Sequence, residues 1–106
     1  MKRGDLVTVV LKGDYGKPRP ALIVQSDLLE PLEGVLICPI TSDIRNVRFR
    51  ITITPDRSNG LSLISQIMTD KITPVRRSKI SAPFGKLTQK QMKAVESALL
   101  LVLDIG

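Results

Sequence analysis

The sequence predicts a small, mainly β fold: short antiparallel strands curled into a barrel-like sheet and closed by one C-terminal helix. Three observations carry that expectation. Five or six short runs rich in Val, Ile and Leu recur at close spacing, separated by clusters of Gly, Pro, Asn and Asp. After residue 87 the apolar period changes from two to a helical interval, behind a helix-start signature. Finally, 106 residues with 42% hydrophobic and 25% charged content form a single domain, residues 1–106, with no linker-like stretch to divide it.

Taken in order, Asp5 to Leu11 alternates loosely and reads as the first strand. LKGDYGKPRP then sets two Gly and two Pro around Tyr15, which marks a hairpin loop carrying Lys12, Lys17 and Arg19. The second strand runs from about Pro20 to Ser26. QSDLLEPLEG is a polar excursion or short helical turn ending at Gly34, and Val35 to Ile40 makes the third strand. Arg45 to Thr54 alternates well, with Val47, Phe49, Ile51 and Ile53 on a buried face and Asn46, Arg48, Arg50, Thr52 and Thr54 facing out. After the turn cluster PDRSNG, Leu61 to Met68 resumes an apolar strand. Ile72 to Val75 is a last short strand, and Pro74, which has no N–H to donate, assigns it to an edge. Thr88 and Gln91 stand at capping-box spacing. Met92, Val95, Leu99, Val102 and Leu103 follow as one apolar stripe opposite Lys90, Lys93 and Glu96.

Sixteen Lys and Arg against ten Asp and Glu give a net charge of +6, which favours polyanionic or acidic partners. The cations concentrate in three groups: Lys12, Lys17 and Arg19; Arg45, Arg48 and Arg50; and Lys71, Arg76, Arg77 and Lys79. If they share one face, that face is a basic groove. Aromatic residues make up only 3%, which excludes recognition of RNA on a multi-base aromatic platform. The single cysteine, Cys38, reads as a small buried hydrophobe that needs no oxidising compartment. Ala98 to Leu103 is too short to cross a bilayer, so no membrane partner is expected and the location is cytoplasmic. No His or Cys cluster has metal-ligand spacing, and no cofactor motif is present.

The chemistry concentrates in KPRPALIVQSD, residues 17 to 27, and CPITSD, residues 38 to 43, each of which brings polar groups to the edge of an apolar strand. The chain has no histidine, so the usual neutral-pH proton shuttle is missing and catalysis falls to Arg, Lys, Asp, Thr and backbone donors. An arginine suits a phosphorane, because its fork donates two hydrogen bonds and stays protonated. The same property disqualifies it as a base. For an RNA phosphodiester, Arg19 is therefore read as electrostatic stabiliser and possible proton donor, Thr41 as a hydrogen-bonding partner of the reacting phosphate, and the base is unassigned. Each residue also has a plainer reading. Arg19 suits a loop arginine lying along the surface, Thr41-Ser42-Asp43 an ordinary strand-ending turn, Asp70 a cap or ion-pair partner, Ser65 a small strand residue, and Arg48 and Arg50 a solvated face.

The order and spacing of these pieces resemble the MazF/PemK toxins. The resemblance rests on Met1-Lys2-Arg3-Gly4-Asp5, the loop into RPALIV, the PITS element, Ser65, Asp70 and Ile72 at SxxxxDxI spacing, and the GKLT turn before the helix. It covers nearly the whole chain. It implies an SH3-like barrel, a two-fold homodimer, and a metal-independent, cofactor-free endoribonuclease of mRNA-interferase type that cuts single-stranded RNA at short sequences. It also implies a cognate antitoxin whose acidic C-terminal segment blocks the groove. Arg19 and Thr41 fall on the family's catalytic arginine and threonine. Lys17, Ser42, Ser65, Asp70, Lys71, Arg48 and Arg50 are the substrate-binding candidates, although Lys71 stands where glutamine is common in the family. CcdB-type toxins share the fold and poison DNA gyrase without catalysis. VQSD at Val24 to Asp27 is as similar to those toxins as to the nucleases, and the Lys12–Lys17 loop is shorter than in many MazF-like chains, whereas the basic balance, Arg19 with Thr41 and a C-terminal Asp104-Ile105-Gly106 without tryptophan favour the nuclease. A catalytically silent binding module would share the same fold.

Overall fold

The computed structural model describes every residue except Pro31. Seven strands form one curled sheet, and a single α-helix, α1 (Gln89–Leu103), packs against it. β1 (Asp5–Val10) and β2 (Pro18–Ile23) form the expected hairpin, with Leu6 opposite Leu22 and Val10 opposite Pro18. The loop between them turns through Gly13 and Gly16 at φ +90° and +77°, a backbone region in which a Cβ is strained.

β3 (Gly34–Thr41) organises the sheet because it has three partners. One edge pairs with β2. The other edge pairs with β6 (Thr73–Arg76) over Gly34 to Ile37 and with β5 (Ser65–Met68) over Ile40 and Thr41. Pro39 sits where the second edge changes partner, a place that tolerates a residue without an N–H. β4 (Arg50–Ile53) adds to β5, and β7 (Gly85–Lys86) adds to the start of β1. The strand order is β4-β5-β3-β2-β1-β7, with β6 beside the first half of β3. The sheet is thus a half-barrel with β4 and β7 at its edges.

The central strands read as continuous apolar runs because both of their faces are covered. Leu6, Leu22, Cys38 and Ile40 point into a core shared with Met92 and Val95 of α1. The alternate residues Val7, Val9, Ala21, Ile23 and Ile37 join Val35 and Val75 in a second core on the other side. Helix entry follows from the sequence: the Thr88 hydroxyl accepts from Gln91 N–H at 3.1 Å while Thr88 N–H donates to the Gln91 side chain at 2.8 Å.

Several expectations change. The fourth strand is Arg50–Ile53 rather than Arg45 to Thr54, and the fifth begins at Ser65 rather than Leu61. These corrections share one cause, since β5 is four residues long and can pair only an equal length of β4. Val47, expected in the core, is consequently exposed. The last β6 strand is displaced by one residue to Thr73–Arg76, and its only named-strand partner is β3, as suits an edge carrying Pro74. On α1, Ala98 takes an inner position and Leu103, expected on the apolar stripe, is exposed.

Candidate active site

Arg19 is the second residue of β2 and Thr41 the last of β3. The β2–β3 register pairs Leu22 with Cys38 and Ala21 with Pro39. Beyond the last pair, the antiparallel run brings the start of β2 and the end of β3, and with them Arg19 and Thr41, to the same end of the sheet. Both residues line a cleft of about 340 Å³, together with Ser42 and Ser65. Its other wall comes from the Gly60–Leu63 loop and Phe84.

Each polar group in the cleft has a defined hydrogen-bonding state. Arg19 Nε donates to Asp14 Oδ2 at 3.3 Å, so the guanidinium is tethered to the β1–β2 loop. Asp43 N–H donates to Thr41 Oγ1 at 3.0 Å. With one lone pair occupied by this local turn, the Thr41 hydroxyl proton is available to donate outward. Ser65 is buried, and its hydroxyl donates to the carbonyl of Leu63 at 2.8 Å, which holds the cleft wall. Ser42 is exposed at the rim.

The remaining candidates lie elsewhere. Arg50 donates through Nε and Nη2 to the two carboxylate oxygens of Asp70, at 3.2 and 3.1 Å. The hydrogen bond from Arg50 is the largest influence holding the Asp70 carboxyl below the ordinary aspartate range, so Asp70 is an ion-pair partner rather than an acid. Lys71 lines a different groove, of about 690 Å³, with Lys12, Arg76 and Lys79. Arg77 is turned away, donating to the carbonyls of Glu30 and Leu32 at 2.6 and 2.9 Å. The three basic groups therefore do not share one face. Lys17 and Arg48 are exposed and make no ion pair among the described residues. Cys38 is buried as expected. Burial first, and then the Asp70 charge, push its thiol up to about 12, which keeps it inert.

Three contributors were not identified from the sequence. Asp14 holds Arg19, and its position five residues ahead across a Gly-rich loop gave no local signal. Gln66, inside an apolar strand, is 2% exposed and clamps the Ser42–Phe49 loop: its amide donates to Arg45 O at 2.8 Å and accepts from Arg45 N at 2.9 Å. Asn59, 1% exposed, ties the loop after β4 together by donating to Thr54 O and accepting from Asp56 and Leu61 N–H. A polar amide in an apolar stretch is the available signal for Gln66, whereas Asn59 sits within the polar turn cluster PDRSNG, where nothing singles it out.

The model of PemK-like, MazF-like toxins of type II toxin–antitoxin systems matches residues 2–103. The chain belongs to this family. A protein of Mycolicibacterium smegmatis named as a probable endoribonuclease MazF is 41% identical over 108 residues, covering 100% of this chain and 99% of that one. Among solved structures, the Mycobacterium tuberculosis toxin MazF-mt6 shares the fold at TM-score 0.84 and 24% identity, over 96% of this chain and 98% of that chain. A mycobacterial endoribonuclease solved with its cognate antitoxin superposes at TM-score 0.86 and 19% identity, over 100% and 97%. The chain is thus a MazF-type toxin, and with MazF proteins as its relatives the gyrase-poison alternative is set aside.

Proposed function

We propose that this MazF-type toxin is a sequence-specific endoribonuclease that cleaves single-stranded RNA by internal transesterification. The 2′-oxygen attacks the neighbouring phosphorus, the bond from phosphorus to the 5′-oxygen breaks, and the products are a 2′,3′-cyclic phosphate and a 5′-hydroxyl. One proton leaves the 2′-hydroxyl and one reaches the 5′-oxygen. The nucleophile is already part of the substrate, so the step needs neither an activated water nor a metal. The protein's task is to align the chain and to stabilise the extra negative charge of the phosphorane.

The observation that carries this reading is the shared cleft of Arg19 and Thr41, on facing ends of adjacent strands. A guanidinium with a typical pKa above about 12 cannot take the 2′ proton, but its terminal N–H groups suit two phosphoryl oxygens. Thr41, with Asp43 N–H already donating to it, supplies another donor. Ser42 at the rim and the exposed Lys17 and Arg48 contribute to RNA binding, while Arg50, Asp70 and Lys71 act away from the scissile phosphate. In the same reading the toxin works in the cytoplasm as a homodimer, and an antitoxin with an acidic C-terminal segment silences it by occupying the cleft against Arg19. The net charge of +6 and the solved complex of a related toxin with its antitoxin support that partner.

The test is to incubate the purified protein with a long RNA in EDTA and map the new ends. Cuts that leave 5′-hydroxyls and are lost in both Arg19→Ala and Thr41→Ala are expected. Intact RNA, or cuts that persist in both variants, would overturn the proposal.

A further inference from the structure

We infer that Phe84 is the stacking surface for one nucleobase beside the scissile phosphate, and so a substrate-binding residue of the cleft. This inference rests on the ribonuclease reading above. Phe84 is the only aromatic residue lining the cleft that holds Arg19 and Thr41, and it is 38% exposed, unusual for a phenylalanine in a domain with so few rings. Its backbone is fixed: Phe84 N–H donates to Leu6 O at 2.8 Å, and the next residue, Gly85, begins β7.

The surrounding chain is shaped to admit the ring. A Cβ placed on Gly60 would lie 3.2 Å from Phe84 Cδ1 and 2.7 Å from its carbonyl oxygen, and one on Gly85 would lie 2.1 Å from the Asn59 carbonyl oxygen. Two glycines therefore let the loop after β4 close directly against this aromatic segment. Leu61 and Leu63, the latter 63% exposed, extend the apolar wall. The cleft thus pairs a cationic, hydroxyl-bearing side with an apolar, aromatic side. A nucleotide has the same division, phosphate on one side and a flat π-face on the other, and stacking on a ring accepts a base face without using its hydrogen-bonding edge. A single ring serves one base, which is compatible with the low aromatic content that excludes a multi-base platform.

The test uses an RNA oligonucleotide carrying a cleavage site mapped with the wild-type protein. A copy with 2′-deoxyribose at the cleaved residue reports binding alone, and copies made abasic at each nucleotide flanking the cut locate the stacked base. Phe84→Ala is expected to weaken binding of the deoxy copy about tenfold, and to raise KM more than it lowers kcat. Phe84→Trp should restore binding and Phe84→Leu should not, each variant being checked by its thermal unfolding. The Phe84→Ala penalty should vanish on one abasic copy. Equal binding by wild type, Phe84→Ala and Phe84→Leu, or a penalty unchanged on every abasic copy, would overturn the inference while leaving the ribonuclease reading intact. A wild-type protein that cuts no RNA would overturn both.

Discussion

Arg19 gives its Nε to the carboxylate of Asp14 at 3.3 Å and makes no other hydrogen bond among the described residues. Asp14 therefore grips the guanidinium by its inner nitrogen and leaves the two terminal nitrogens for the cleft. The side chains are 44% and 29% exposed, so the pair contributes at most about 1 kcal/mol to stability. Its main effect is on direction. We expect Asp14→Ala to lower kcat on the order of tenfold with little change in KM or melting temperature, as for a lost positioning contact. Asp14→Asn, which keeps an acceptor, should recover part of the rate. Steady-state kinetics on a mapped RNA site together with thermal unfolding checks this, and an unchanged kcat in Asp14→Ala would refute it.

Thr41 accepts Asp43 N–H, and in the proposed mechanism it also offers its own proton to the cleft. Thr41→Ser keeps both and should retain most activity. Thr41→Val loses both, and a fall in kcat of about 10²-fold is expected, the scale of one lost donor to a developing negative charge. Equal rates for the serine and valine variants would remove Thr41 from the chemistry.

Gln66 satisfies both backbone groups of Arg45 and also donates to Thr52 Oγ1 at 3.1 Å. Gln66→Leu strands these partners, at a cost of about 1–3 kcal/mol. The melting temperature should fall by roughly 4–8 °C for each kcal/mol lost, and hydrogen exchange should accelerate in residues 43–49 before it does in β3.

Asp70 is held below the ordinary aspartate range by Arg50. The unfolded chain thus takes up the proton at higher pH than the folded one, and the ion pair's contribution is present at neutral pH and lost as the pH falls through and below that range. Wild type should exceed Asp70→Asn in stability at pH 7, and the gap should close in acid. Denaturant titration across the acidic range would show it, and a gap independent of pH would count against the pairing.

Local features of the sequence translated well into structure. The Thr88–Gln91 cap needs only four consecutive residues, and the apolar runs of β1, β2 and β3 are buried whatever their neighbours do. Arg19 and Thr41 were legible as polar groups at strand ends and through the family resemblance, whereas the cleft they share also needs the loop at residues 60–63 and Phe84, which no local pattern announces. The alternation through Val47 and Phe49 misled because a strand needs a partner of matching length, and β5 is short. The charge clusters gave no hint that Lys71 and Arg77 face away from Arg19, since direction around a curled sheet is not written in composition. Asp14 and Gln66 act across turns whose shape emerges only after folding.

β3 is bonded along both edges to three neighbours, and Thr41 is its final residue. The loops at Lys12–Lys17 and Ser42–Phe49 are held by side chains instead, the first through Asp14 on Arg19 and the second through Gln66 on Arg45. In the proposed ribonuclease reading, the hydroxyl beside the phosphate is thereby fixed by main-chain pairing, while the loops around it hang on single side-chain contacts.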